Sequence, residues 1–290
     1  MLRKIFKWTG ITLGSLALLL ILSYSLVYVT TEARIHKVYQ VNLQPLPIPD
    51  DSAAYMAGQH VAGIRGCLRC HGDDLATSEV FADENSPIGI LQASNITSGK
   101  GGIDYTDQHW IRALRHGLGK DNKPLWLMPS HEICGLSNRD MAALISYLKK
   151  QPPVDKTTPP KLLRPLGRIL TFVGEFPLLP AEKIDHTATY VDEIKPAVDA
   201  VYGKYLAVTC TGCHRDTFKG APARSPKQTP IPDISLTGNL GKWTQVDFVK
   251  LFHTEKTPEG RVVSQCVAVK AFPYSDDELR AIYLYLHEVK

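Results

Sequence analysis

Hydrophobic and polar positions divide the chain into one long unbroken apolar run and several shorter periodic ones. From Trp8 to Thr31 there is no charged residue, and the core of the run, Ile11 to Val29, is 19 residues long. As a helix it covers about 30 Å, one bilayer core. A cleaved signal peptide is the rival reading. It asks for a shorter apolar stretch followed by a small-x-small site, and the nearest match, Ser23-Tyr24-Ser25, lies inside the run. The expectation is therefore an uncleaved anchor. Arg3, Lys4 and Lys7 precede it, which places the amino end in the cytoplasm and everything after residue 31 on the opposite face.

Beyond the anchor the apolar period is helical. Met141, Leu144, Ile145 and Leu148 fall at i, i+3, i+4 and i+7, as do Leu279, Ile282, Tyr283 and Leu286. Ser137 and Ser275 precede these helices as candidate N-caps. No β-rich segment stands out, so the folded part is expected to be all-α. Residues 38–51 are Pro-rich and without a strong period, and read as a tether.

The chain also repeats itself. At a gapless offset of 138 residues, Asn95-Ile96-Thr97 aligns with Asp233-Ile234-Ser235, Trp110 with Phe248 and Leu114 with Phe252. Upstream, GQHVA (58–62) matches GKYLA (203–207). Gly58 and Gly203 stand in the first helix of each repeat, where glycine costs about 1 kcal/mol against alanine, and close packing against another helix would offset that. The expected organisation is a cytoplasmic start and transmembrane anchor (1–31), a tether (32–51), a first domain (52–150), a Pro-rich linker (151–197) and a second domain (198–290). The linker holds the apolar runs LLRPLGRIL and FPLLP, so it is expected to pack along the domains.

Charge changes little. Residues 1–37 hold five basic side chains and one acidic, and the other 253 residues hold 28 of each. The folded part is neutral, which gives no argument for nucleic acid as a partner.

The six cysteines are too few for a disulfide scaffold, and their spacing is informative. Each repeat carries C-x-x-C-H: Cys67-Leu68-Arg69-Cys70-His71 and Cys210-Thr211-Gly212-Cys213-His214. This is the c-type haem attachment spacing, with two thiols to add across the porphyrin vinyl groups and a histidine to reach the iron. A thioredoxin-like pair would ask for a βαβ context, and zinc for a second pair of ligands in each repeat. Two copies at matching places behind an apolar segment favour two covalently bound haem c groups.

With CLRCHG, SNIT, GGIDYTDQHWIRALRHGL, LMPS and DMAALISYLKKQPPV in the first repeat, and CTGCH, PDIS, GKWTQVDFVKLF and DDELRAIYLYL in the second, each repeat resembles class I cytochrome c. The whole resembles the membrane-anchored dihaem cytochromes c of bacteria. The resemblance implies two tandem all-α domains after the transmembrane helix and a distal methionine in the loop before each last helix. Met128-Pro129 stands in that loop in the first repeat, although a methionine is more often packing than ligand. The second repeat has no methionine, and the 138-residue offset carries Met128 onto Cys266. Cys266 is the sixth-ligand candidate there, against His253, Lys270, an open position, or a plain buried thiol like Cys134. The metal ligands expected are thus His71, Met128, His214 and Cys266, with Cys67, Cys70, Cys210 and Cys213 attaching haem. Asn95, Arg112 and Arg115 are candidates to hold a haem carboxylate, with His116 and His131 behind them; each could instead be an ordinary helix-face residue. Asn95-Ile96-Thr97 also spells a glycosylation sequon, a reading set aside in a bacterial-looking cytochrome.

The function implied is electron transfer at a bacterial inner membrane, with the haem domains in the periplasm and a respiratory complex, dehydrogenase or terminal oxidase as redox partner. Two alternatives stand beside it. One is a dihaem enzyme resembling thiosulfate dehydrogenases, with Cys266 at the active haem. The other is a haem-based sensor that switches Cys266 on and off the iron.

Overall fold

The computed structural model describes residues 2–77, 79–223, 229–263 and 272–290. It is mostly helical, 47% helix against 5% strand. Helix α1 (Leu2–Ile35) has 34 residues and is long and apolar enough to cross a membrane. Its apolar side chains lie open along most of its length, Leu13 being 61% exposed and Ile21 62%. Only its last turns are buried, at Thr31 and Ile35. The helix runs four residues past the expected end of the anchor, because Glu32 and Arg34 mark the end of apolar sequence but do not stop a helix.

The first repeat contributes α2 (Ser52–Ile64), α3 (Cys67–His71), α4 (Asp107–His116), α5 (Ser130–Ile133) and α6 (Asn138–Lys149). The second contributes α8 (Ala200–His214), α9 (Gln245–Thr254) and α10 (Asp276–Leu286). Ser137 caps α6 by accepting from Asp140 N at 3.1 Å, and Ser275 caps α10 by accepting from Glu278 N at 3.3 Å. In α6 every residue from Met141 to Leu148 is buried, and the periodic Met141, Leu144 and Ile145 are 0% exposed. In α10 Leu279, Ile282 and Leu286 face the second core with Leu206 and Phe248.

The two glycines explain how these helices meet. A Cβ on Gly58 would overlap the Ala143 carbonyl oxygen and stand 2.7 Å from Tyr147 Cβ. A Cβ on Gly203 would overlap the carbonyl oxygen of Ala281, the residue 138 places after Ala143, and stand 3.0 Å from Ile282 N. Helix α2 therefore lies backbone-close on α6, and α8 on α10. One difference separates the pairs. Thirteen positions lead from Gly58 to His71 and eleven from Gly203 to His214. The two extra residues make a break at Arg65-Gly66, with Gly66 at φ +73°, whereas α8 runs unbroken to His214.

The all-α expectation needs correcting in one place. Strands β1 (Val80–Ala82), β2 (Gly89–Gln92) and β3 (Leu162–Leu163) form a small antiparallel sheet in the order β1-β2-β3. Two linker residues complete it, a pairing too short to leave a period in the sequence. The linker packs as expected: Leu163, Leu178 and Leu179 are buried with Ile35 and Leu91, and α7 (Pro165–Phe172) lies beside α1. The tether is not loose either. Leu43, Leu46 and Ile48 pack on the first core, and Tyr39 N donates to Asn122 O at 3.0 Å.

Polar bonds join the halves. Tyr205 Oη donates to Asp140 Oδ2 at 2.6 Å and accepts from Ser137 N at 3.1 Å, at the capped start of α6. Thr209 Oγ1 and Tyr274 Oη both donate to Ile64 O, at 3.0 and 3.2 Å. His60 Nε2 meets Glu278 Oε1 at 2.7 Å.

By propensity alone, Gly58→Ala and Gly203→Ala would stabilise their helices by about 1 kcal/mol. The overlap reverses the sign, and each is expected to lower unfolding free energy by at least about 2 kcal/mol in denaturant titration. Gly135→Ala, with nothing within 4 Å of its Cβ position, is expected to change stability by less than about 0.5 kcal/mol.

Candidate functional site

The first C-x-x-C-H opens directly after the break at Gly66, and the short turn of α3 brings Cys67, Cys70 and His71 to the wall of a cleft. The cleft, its open mouth included, has about 900 Å³ of open space. Leu91, Ile96, Leu114, Trp126 and Leu148 make it apolar, and Met128 lines it together with His71 and both cysteines.

His71 is 7% exposed, and its Nδ1 stands 2.7 Å from Ser94 O. A carbonyl can only accept, so Nδ1 carries the proton and donates it, which leaves Nε2 with a free lone pair. Burial also holds the imidazole below its usual pKa, in the neutral form. The second motif repeats this arrangement. His214 Nδ1 donates to Pro232 O at 2.8 Å, and Pro232 is the residue 138 places after Ser94. The following segments match too. Asn95 Oδ1 and Asp233 Oδ1 each accept from the backbone N–H two residues on, at 2.9 and 2.8 Å. Ile96 N donates to Leu75 O at 3.0 Å and Ile234 N to Phe218 O at 2.9 Å. Leu75 and Phe218 share a left-handed backbone, φ 55° and 58°.

The Met128 loop is held on both sides. Leu127 has φ +61°, unfavourable for a leucine, and its N–H donates to Leu178 O of the linker at 2.8 Å. Ser130 Oγ, on the other side, donates to Ala113 O of α4 at 2.9 Å. Cys266, the register partner of Met128, lies outside the described residues, as does Lys270. His253 Nε2 pairs with Asp276 Oδ1 at 2.7 Å on the surface.

Burial pushes the Cys67 thiol up to about 12 and also raises Cys70. Reactive dithiol pairs have depressed pKa values, the opposite direction. Among the described residues no three His, Cys, Asp or Glu side chains converge as a zinc site would ask.

The three residues expected at a haem carboxylate bond to other parts of the chain. Asn95 is 0% exposed, and its Nδ2 donates to Val154 O at 2.8 Å and Lys156 O at 3.0 Å, pinning the start of the linker. Arg115 is 3% exposed and donates to Cys134 O, Leu136 O and Ser137 O and to Asn138 Oδ1, with its guanidinium 3.6 Å from the Tyr190 ring centre. Burial pulls its pKa down to about 10. Arg112 donates to Lys120 O at 3.4 Å. None of the three lines the cleft. His116 stacks on His186 of the linker, and burial lowers it to about 4. The residue the sequence reading missed is Lys161, a cation lining the cleft though exposed overall, whose pKa partial desolvation holds below that of an ordinary lysine. Its place in a Pro-rich linker gave no signal. Glu132 was missed as well. Burial raises its carboxyl to about 7, and it stands against Gly212 of the second motif while its field reaches Cys70 of the first.

The chain matches no protein-family model and no curated protein.

Arg115 clamps the α5–α6 loop. Arg115→Gln is expected to cost about 2–4 kcal/mol in chemical denaturation, because it leaves buried carbonyls without a donor. An unchanged stability would contradict the clamp.

Proposed function

We propose that the protein is a membrane-tethered dihaem cytochrome c that relays electrons between a respiratory or dehydrogenase donor and a downstream acceptor. On this reading residues 52–150 and 198–290 are two class I cytochrome c-like domains, and α1 anchors them to a bacterial inner membrane. The amino end is cytoplasmic and the haem domains face the periplasm. The observation that carries the proposal is the doubled histidine arrangement. Both C-x-x-C-H histidines are buried or half-buried, neutral, and bonded through Nδ1 to carbonyls at the same repeat position. That is how a protein fixes the tautomer and ring orientation of a metal-ligating histidine.

Bound haem supplies a one-electron iron couple, and the chain has to hold it still. Cys67 and Cys70 would attach the first group, and Cys210 and Cys213 the second. Nε2 of His71 and of His214 would be the proximal donors. Met128 offers a neutral thioether from a loop fixed at Leu127 and Ser130, which limits rearrangement when charge changes. The apolar wall excludes water, and Lys161 would donate to a haem carboxylate. Cys266 stays the sixth-ligand proposal for the second site on register alone. No general acid, base or nucleophile is needed. Lacking net charge, the folded part would meet its redox partner through modest patches and not through a strong field.

Potentiometric titration of the intact protein in lipid nanodiscs tests this. Two one-electron components are expected. Met128→Ala should lower one of them by more than about 0.1 V, remove the sulfur-to-iron charge-transfer band and leave the other component in place. A single component, or a band that survives the substitution, would overturn the assignment.

A further inference from the structure

Helix α7 has its faces reversed. In a water-exposed helix the apolar stripe packs inward. Here the inward face is small: Gly167 and Thr171 are buried, and a Cβ on Gly167 would overlap Ile88 O. The apolar side chains turn outward. Leu166 is 41% exposed, Ile169 41%, Phe172 38% and Val173 58%, and at 100° per residue these four share one stripe. A stripe of this kind marks an interaction surface.

The position of α7 says what covers it. Arg168 stands 4.3 Å over the Tyr28 ring, donates to Thr31 Oγ1 at 3.1 Å and pairs with Glu32. Arg34 donates to Thr171 O at 3.1 Å and to the Glu182 carboxylate at 2.9 Å. The α7 helix is therefore pinned to the stretch of α1 between Tyr28 and Arg34, where the uncharged run ends at Thr31. That is the depth of the headgroups if α1 spans the bilayer. An arginine beside an outward apolar stripe suits an interfacial helix.

We propose that α7 lies in the surface of the same bilayer that α1 crosses, with Leu166, Ile169, Phe172 and Val173 immersed at the headgroup–acyl boundary. The proposal rests on reading α1 as a membrane span. It makes the anchor a two-point attachment and sets the first half at a fixed attitude. Strand β3 precedes α7 directly and pairs with β2, whose Leu91 lines the cleft, so the cleft is held close to the lipid.

The test uses the full-length protein in nanodiscs of phosphatidylethanolamine and phosphatidylglycerol. A trace of phosphatidylcholine carries a diazirine near its acyl carbonyl. After photolysis and digestion, lipid adducts are expected on α1 and on the α7 peptide. The double variant Ile169→Asp/Phe172→Asp alters exposed side chains only and should keep the α1 adducts while losing those on α7. Adducts on α1 with none on α7 in the parent would overturn the proposal and leave the anchor standing. Adducts on neither would remove the anchor reading and the proposal with it. Adducts on α7 that form in discs holding one copy and are lost in discs holding two would assign the stripe to dimerisation and also overturn it.

Discussion

Each half of the folded part depends on one contact, a glycine laid on a backbone carbonyl. At Gly58 over Ala143 and Gly203 over Ala281 two helices approach more closely than any side chain allows. The apolar rows of α6 and α10 then face one way, into a single core on each side. The loops between the paired helices hang from that crossing. The C-x-x-C-H histidine stands where they begin, on α3 in the first half and at the end of α8 in the second, and in the first half the Met128 turn stands near their end. A glycine without this contact would only weaken its helix, so the crossing also accounts for the presence of glycine in the middle of α2 and α8.

The second organising feature is that the end of helix α1 packs behind the wall of the cleft. Ile35 at the end of α1 shares a cluster with Leu91, Leu163, Leu178 and Leu179, and Trp126 and Leu127 pack against it. Leu178 in turn holds the Leu127 amide. The Pro-rich segment between the repeats is thus a structural part of the first half. It supplies β3, the α7 helix, the Lys161 cation and the brace behind the Met128 loop. On the proposed reading this gives the first haem a stiff surround tied to the membrane, which suits electron transfer with little rearrangement.

Much of this is legible in the sequence where a physical period or a covalent requirement fixes it. The α1 span, the rows on α6 and α10, the serine caps and the packing glycines all follow from spacing. What stays hidden has no period. A two-residue strand at Leu162–Leu163 has none. A left-handed leucine at 127 looks like any leucine, since only glycine advertises that backbone. Arg115 reads as a helix-face charge, and only the folded chain shows that it bonds three carbonyls of the α5–α6 loop and Asn138 at the start of α6. Asn95 misleads similarly, because its partners Val154 and Lys156 are about sixty residues away. Lys161 comes to the cleft by way of the sheet, a tertiary event invisible to local pattern.

The central claim is that both C-x-x-C-H segments hold haem covalently. Denaturing intact-mass spectrometry of the membrane-purified chain tests it most directly, alongside Cys67→Ser/Cys70→Ser and Cys210→Ser/Cys213→Ser variants. The account predicts a chain carrying two haem masses, each double variant keeping one. A chain mass without haem, or one haem lost by one double variant and unaffected by the other, would contradict it.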